Sequence, residues 1–215
     1  MENYIYLNNN SLSKEICEEI IIMYESDLKN KYEGTTGGGT DKNVKHTQDL
    51  VIPNDDVWSN IHKFLNRELH ENVTKYIREL NNTSMVSSTG EKYVVFSMLK
   101  TRVYGYQIQR YVRGMGQYIY HDDSLIEYDK KQDRIITFLW YLNTVEEGGE
   151  TELWGTRRIK PEQGKLLLFP ACWTFPHCGR MPISDNKYII TGWVYRIMND
   201  GPESGPSPII EGKTL

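Results

Sequence analysis

The sequence predicts an α+β chain that is mainly β, with supporting helices in its N-terminal part. Apolar residues recur at helical spacing in two segments before residue 80. From about residue 93 the texture changes to short runs of Tyr, Val, Ile, Phe and Trp split by turn residues, the pattern of an antiparallel sandwich or small barrel. The 215 residues, 39% hydrophobic, are enough for one domain with a real core. The expected organisation is a single domain over 1–198, with a helical part at 11–80, a β core at about 93–197 and a flexible tail at 199–215.

The elements follow in order. "SLSKEICEEIIIMYESDL" (11–28) reads as a helix, with Ser11 or Ser13 as its cap and Ile16, Ile20, Met23 and Tyr24 on one apolar face. "EGTTGGGTDKN" breaks all periodicity and is expected to be a flexible loop; no Gly-Lys-Ser/Thr follows its glycines, so it is not a P-loop. Residues 54–80 form the strongest helical pattern, capped by Asn54 or Asp55, with Val57, Ile61, Leu65, Leu69, Val73, Ile77 and Leu80 in register. His62 and His70 on it are two turns apart, which suits helix-flank residues and not a shared metal. Strands are expected at 93–99, 103–112, 117–121, 134–142, 151–154, 165–169 and 187–196, with turns at "RGMG", "EEGGE", "KPEQG" and "SDN". The segment "SLIEYDKKQD" between two of them is polar and expected to be mobile.

Composition narrows the function classes. A net charge of −4 without a long basic block argues against strong nucleic-acid binding. No apolar run approaches membrane-spanning length, and "MENYIYLNNN" lacks the features of a secretory leader, so a cytoplasmic protein is expected. The three cysteines, Cys17, Cys172 and Cys178, suit a reducing compartment. Cys172 and Cys178 flank His177 at a spacing foreign to zinc knuckles and are read as pocket-wall residues.

The chemistry concentrates around "YIYHDDS" (118–124). On a strand, residues i and i+2 point to one side, so His121 and Asp123 form a His-x-Asp pair aimed into one cavity, while Asp122 faces away. Two imidazoles and a carboxylate on one face of Fe(II) make a mononuclear oxygenase site with open positions opposite. By itself the tripeptide also fits a polar strand end. Downstream, an apolar strand runs into a loop carrying His177, and Lys187 opens another apolar strand. A buried lysine demands an anion, which a dicarboxylic cosubstrate would supply.

With these residues in view, the sequence resembles the prolyl 4-hydroxylase group of the 2-oxoglutarate and Fe(II)-dependent dioxygenases over about 104–197. "RYVRGMGQYIYHDD" is similar to the family segment leading into His-x-Asp, "TFLWYLNTVEEGGETEL" to its most recognisable strand and turn, "IKPEQGKLLLFP" to its Pro-x-x-Gly strand, and "HCGRMPISDNKYIITGWVYR" to its closing His, Lys, Trp block. The resemblance implies a double-stranded β-helix, or jelly roll, with N-terminal helices packed on it. It implies His121, Asp123 and His177 as Fe(II) ligands and Lys187 as the anchor of the 2-oxoglutarate C5 carboxylate. Tyr111, Tyr141 and Thr151 would line the cosubstrate pocket, and Tyr118 and Trp193 the substrate side.

The implied activity is that of a procollagen-proline 4-dioxygenase-like enzyme acting on a proline-containing peptide or protein, with succinate and CO2 as coproducts and ascorbate as reductant. A bacterial or viral cytoplasmic setting suits it. The same chemistry on a lysyl residue, a free amino acid or a nucleobase is the alternative, and a catalytically silent binding module a further one. Ser124 and Leu125 stand where the family often has an aromatic, and Tyr195 where relatives can carry a histidine; both leave the substrate open.

Overall fold

The computed structural model describes residues 4–82, 88–91 and 100–197. The strand expected at 93–99 and the tail at 199–215 lie outside the described residues. Among the described residues there are two α-helices, α1 (Lys14–Ser26) and α2 (Ser59–Asn82). The strands are β1 (Tyr6–Asn8), β2 (Tyr32–Glu33), β3 (Lys45–His46), β4 (Gln48–Val51), β5 (Lys100–Val103), β6 (Gln107–Tyr111) and β7 (Gln117–His121). They continue with β8 (Ile126–Glu127), β9 (Gln132–Tyr141), β10 (Thr151–Leu153), β11 (Arg157–Ile159), β12 (Leu166–Pro170), β13 (His177–Gly179) and β14 (Lys187–Ile197).

These form a major antiparallel sheet, β1-β12-β9-β14-β6-β4-β2 with β5 and β8 attached, and a minor one, β11-β10-β13-β7-β3. This is the jelly-roll architecture. Strand alternation sorts the major sheet into two faces. Ile136, Phe138 and Trp140 of β9, Leu166 and Leu168 of β12, and Ile190 and Val194 of β14 pack with the helices in one core. Their neighbours Leu139, Tyr141, Leu167, Phe169 and Ile189 turn to the other face, into a second core shared with Leu153 and Ile159 of the minor sheet. The functional cavity opens on this second side.

α1 is capped by Ser13, whose hydroxyl accepts the Ile16 N–H, and buries Cys17, Ile20 and Tyr24. α2 buries Ile61, Leu65, Leu69, Val73, Tyr76 and Leu80. Val57 departs from the expected stripe. The Asp55 carboxylate accepts the Trp58 N–H, the helix begins after this turn, and Val57 is 73% exposed. Trp58 is buried in its place. His62 contacts the Pro53 carbonyl at 3.1 Å and His70 is exposed.

The part from 11 to 80 is not purely helical: β2, β3 and β4 lie between the helices and pair with β4, β7 and β6 respectively. Within the glycine-rich loop, Thr36 and Gly39 bridge each other, closing a tight turn. The segment expected to be mobile, 124–133, contains β8 and a 3-10 turn at Tyr128–Lys130 and returns antiparallel onto β9. The three cysteines are free thiols.

Candidate metal and cosubstrate site

β7 and β13 are paired so that His121 and His177 stand directly opposite each other. Each ring Nδ1 contacts the carbonyl two residues before it, Ile119 at 2.8 Å and Phe175 at 3.1 Å. With Nδ1–H donating to those carbonyls, both Nε2 lone pairs are free, the arrangement metal-ligating histidines use. Both Nε2 atoms face Asp123: His177 at 3.5 Å from Oδ2 and His121 at 3.9 Å from Oδ1. The three ligand atoms lie within 4.8 Å of one another, and no other group of this kind occurs among the described residues.

Asp123 stands just beyond the end of β7, so strand pairing does not hold it. It is buried, and the Thr137 hydroxyl of β9 donates to its Oδ2 at 2.7 Å. Asp122 is exposed and caps the next turn by accepting the Ser124 N–H. The two acids of "HDD" are thereby separated into one buried and one solvated group. Burial and the facing His177 hold the His121 imidazole down to about 4, so it is neutral and able to bind a cation. Burial pushes the Asp123 carboxyl up, but the imidazoles of His177 and His121 and the Thr137 hydroxyl outweigh it and keep the group below its ordinary range. The Trp193 indole adds to this without closing a hydrogen bond.

Behind this cluster Lys187, 1% exposed, opens β14. Its ammonium donates to the Gly149 carbonyl at 2.9 Å and sits 3.8 Å from the centre of the Tyr111 ring. Among the described residues it has no carboxylate partner, and burial lowers its pKa to about 7. Tyr141 donates to the Thr151 hydroxyl at 2.7 Å, and Tyr111 to Gln109 Oε1 at 3.1 Å. Burial raises both phenols, so they remain O–H donors. A Cβ on Gly179 would stand 2.9 Å from the Tyr111 ring, so glycine is what lets that ring lie over β13. A cation without a carboxylate partner among the described residues, in one cavity with the Tyr111 and Thr151 hydroxyls and the His-Asp-His cluster, suits a small dicarboxylate bridging the two.

His121, Asp123, His177, Lys187, Tyr111, Thr151, Tyr118 and Trp193 all line one cavity, and Tyr141 reaches it through Thr151. Tyr118 stacks on His121, with ring centres 3.6 Å apart and planes 15° apart. Cys178 lines the cavity, whereas Cys172 does not: it packs at the edge of the second core and contacts the Thr174 hydroxyl. Gln109, Thr137, Leu139, Ile189 and Thr191 also line the cavity and were not anticipated. Period-2 alternation from Tyr141 back to Thr137, and from Tyr111 back to Gln109, is the signal that identifies them.

Tyr118, Asp123 and Trp193 also border a second, outer groove of about 490 Å³, within the range of ligand sites. The Arg134 guanidinium lies 3.4 Å from the Trp193 ring centre and donates to the Tyr195 hydroxyl at 3.2 Å. Lys45, ion-paired with Asp49 at 2.6 Å, also borders this groove, 5.4 Å from the Tyr118 ring centre. No pattern in the sequence pointed to Arg134 or Lys45.

A jelly roll with two histidines and a carboxylate between its sheets defines the class of Fe(II) oxygenases with a 2-His-1-carboxylate site. Comparison makes this specific. Residues 106–195 match the model of the 2OG-Fe(II) oxygenase superfamily. No curated protein matches the sequence. Among solved structures, the viral collagen prolyl hydroxylase of Paramecium Bursaria Chlorella virus-1, in its 2OG complex, superposes with a TM-score of 0.63 at 18% identity, covering 90% of this chain and 97% of that one. A Trichoplax adhaerens prolyl hydroxylase, in complex with a hypoxia inducible factor peptide fragment, gives 0.65 at 20% identity over 91% and 84%. A Pseudomonas putida prolyl-4-hydroxylase gives 0.58 at 13% identity over 88% and 91%.

The chain is a 2-oxoglutarate-dependent dioxygenase, carrying a 2OG-Fe(II) oxygenase domain over 106–195, with the fold of the prolyl hydroxylases. Its cofactors are Fe(II) and 2-oxoglutarate, and the donor set fits them: two imidazoles, one carboxylate and a buried lysine with no carboxylate partner among the described residues. No described helix is long and apolar enough to cross a membrane.

Proposed function

We propose that this enzyme hydroxylates a prolyl residue in a peptide or protein. The observation that carries the reading is the outer groove: it is open to solvent, walled by Tyr118, Trp193 and Tyr195, and reaches the His121–Asp123–His177 cluster at Asp123. A prolyl ring is apolar and compact, and aromatic walls suit it. Arg134, held over the Trp193 ring, presents N–H donors that suit the carbonyls of an extended peptide. The similarity to a collagen prolyl hydroxylase and to a prolyl hydroxylase bound to a peptide supports the same substrate class.

In this reading His121, Asp123 and His177 hold the iron, which when bound supplies the oxidising chemistry. Lys187 fixes the far carboxylate of 2-oxoglutarate, with Tyr111, Tyr141 and Thr151 as the neighbouring polar wall. Tyr118 and Trp193 hold the target ring beside the metal and exclude water from it. Ascorbate serves as reductant, and the protein acts in the cytoplasm.

The test is incubation with Fe(II), 2-oxoglutarate, ascorbate and proline-rich peptides, read by mass spectrometry, with His177→Ala as control. One added oxygen on proline is expected. Succinate formation without any peptide modified on proline, while a lysyl peptide or free amino acid gains oxygen, would overturn the substrate assignment.

A further inference from the structure

Tyr120 lies between the inward residues of "YIYHDD", and nothing in the site uses it. Its surroundings lie on the outer face of the minor sheet. Glu152, between the inward residues Thr151 and Leu153 of β10, turns to this face, yet its side chain is only 7% exposed. Three donors cover it. Tyr120 O–H donates to Oε1 at 2.8 Å; Arg158 Nε and Arg180 Nη1 donate to Oε2 at 2.7 and 2.8 Å. The Tyr120 oxygen in turn accepts the Gly155 N–H, at 2.7 Å, from the turn after β10.

Tyr120 immediately precedes His121. Arg180 lies three residues after His177, just past the end of β13. The ladder between β7 and β13 is short: it pairs His177 with His121 and Gly179 with Tyr118, with an irregularity between them. A ladder so brief and bulged holds register weakly on its own.

Resting on the reading of His121, Asp123 and His177 as the metal ligands, we propose that Glu152 is a positioning residue for the metal centre. Through Tyr120 and Arg180 it straps the two histidine-bearing segments from behind and fixes the separation of their Nε2 atoms. Metal sites tolerate only a few tenths of an ångström in ligand distance. Charge-assisted bonds to a shielded carboxylate are the stiffest tie available at this place. Tyr120, Glu152, Arg158 and Arg180 line neither the cavity nor the outer groove, so the effect of the knot should fall on metal affinity.

The test is Mn(II) binding to metal-free full-length protein, titrated by electron paramagnetic resonance at low temperature. Wild type, Glu152→Gln, Tyr120→Phe and the double variant are compared, with denaturant unfolding alongside. Each single variant is expected to weaken Mn(II) binding about 10-fold, as outer-sphere partners of metal ligands do. The double variant should resemble Glu152→Gln alone, because Tyr120 acts through that carboxylate. The visible charge-transfer band of the Fe(II)·2-oxoglutarate complex should also shift in both single variants. Variants that lose unfolding stability but bind Mn(II) within about 2-fold of wild type, with the band unmoved, would show a merely structural knot and overturn the inference. The metal reading would stand in that case. A wild-type protein that binds no Mn(II) or Fe(II) would overturn both. Should Glu152→Gln fail to fold, Tyr120→Phe, which keeps the ring and removes one hydroxyl, decides alone.

Discussion

Replacing Lys187 by Met should make the cosubstrate-free protein more stable while removing 2-oxoglutarate binding. Lys187 is enclosed, has no ion-pair partner among the described residues, and is held by one carbonyl and an aromatic face. Burial lowers its pKa from 10.5 to about 7, so the unfolded chain binds this proton more tightly than the folded one. The stability of the wild type therefore rises with pH between about 7 and 10.5 and is lowest at and below 7. With a shift from 10.5 to about 7, and about 1.4 kcal/mol per unit, the penalty is about 4 kcal/mol at pH 7 and about 2 kcal/mol at pH 9.

Methionine fills a similar volume without a charge and escapes this penalty. Urea unfolding of both proteins at pH 7 and pH 9, without 2-oxoglutarate, measures the difference. The variant should be the more stable at pH 7, by up to about 4 kcal/mol, and the gap should narrow by about half at pH 9. Calorimetry should show no 2-oxoglutarate binding to the variant. A variant less stable than wild type at pH 7, or a gap that widens with pH, would mean that Lys187 is already satisfied in the free protein.

Three further outcomes follow from the same geometry. Asp123→Ala should abolish Mn(II) binding, while Asp122→Ala, which loses only an exposed turn cap, should bind within about 2-fold of wild type; the reverse order would show that the wrong carboxylate has been read as inward. Tyr141→Phe removes the donor to Thr151 and should raise KM for 2-oxoglutarate about 5- to 10-fold with little change in kcat. In steady-state kinetics, a fall in kcat alone would contradict a binding role. Val57→Ser, at an exposed position before α2, should change unfolding stability by less than about 0.5 kcal/mol, whereas Leu65→Ala in the core should cost about 2–5 kcal/mol.

Much of the architecture is legible locally. Both helices announce themselves by spacing, and β9, β12 and β14 by long apolar runs buried on both faces. The short strands β1 to β4 do not. They have two to four residues each, and their partners, β12, β7 and β6 among them, lie far along the chain. At that length the ladder is decided by distant hydrogen bonds and not by local propensity. Val57 misled because its spacing fits the stripe, yet the Asp55 turn starts the helix after it.

The site divides in the same way. Residue type and order along the chain singled out His121, Asp123, His177 and Lys187 as candidates, because imidazole, carboxylate and a lysine in apolar runs are chemically conspicuous, and the family resemblance gave them their expected roles. Strand alternation alone distinguished Asp123 from Asp122 as an expectation. Only the folded chain brings Thr137 onto Asp123, sets Tyr118 flat on His121, lays Arg134 on Trp193 and ties Tyr120 to Glu152. Each of these joins residues on different strands, or a strand and a loop, and sheet pairing sets their separation. A sequence carries period and chemistry along one strand. Which side chains meet across the sheets depends on register, and register is a property of the whole packed sheet.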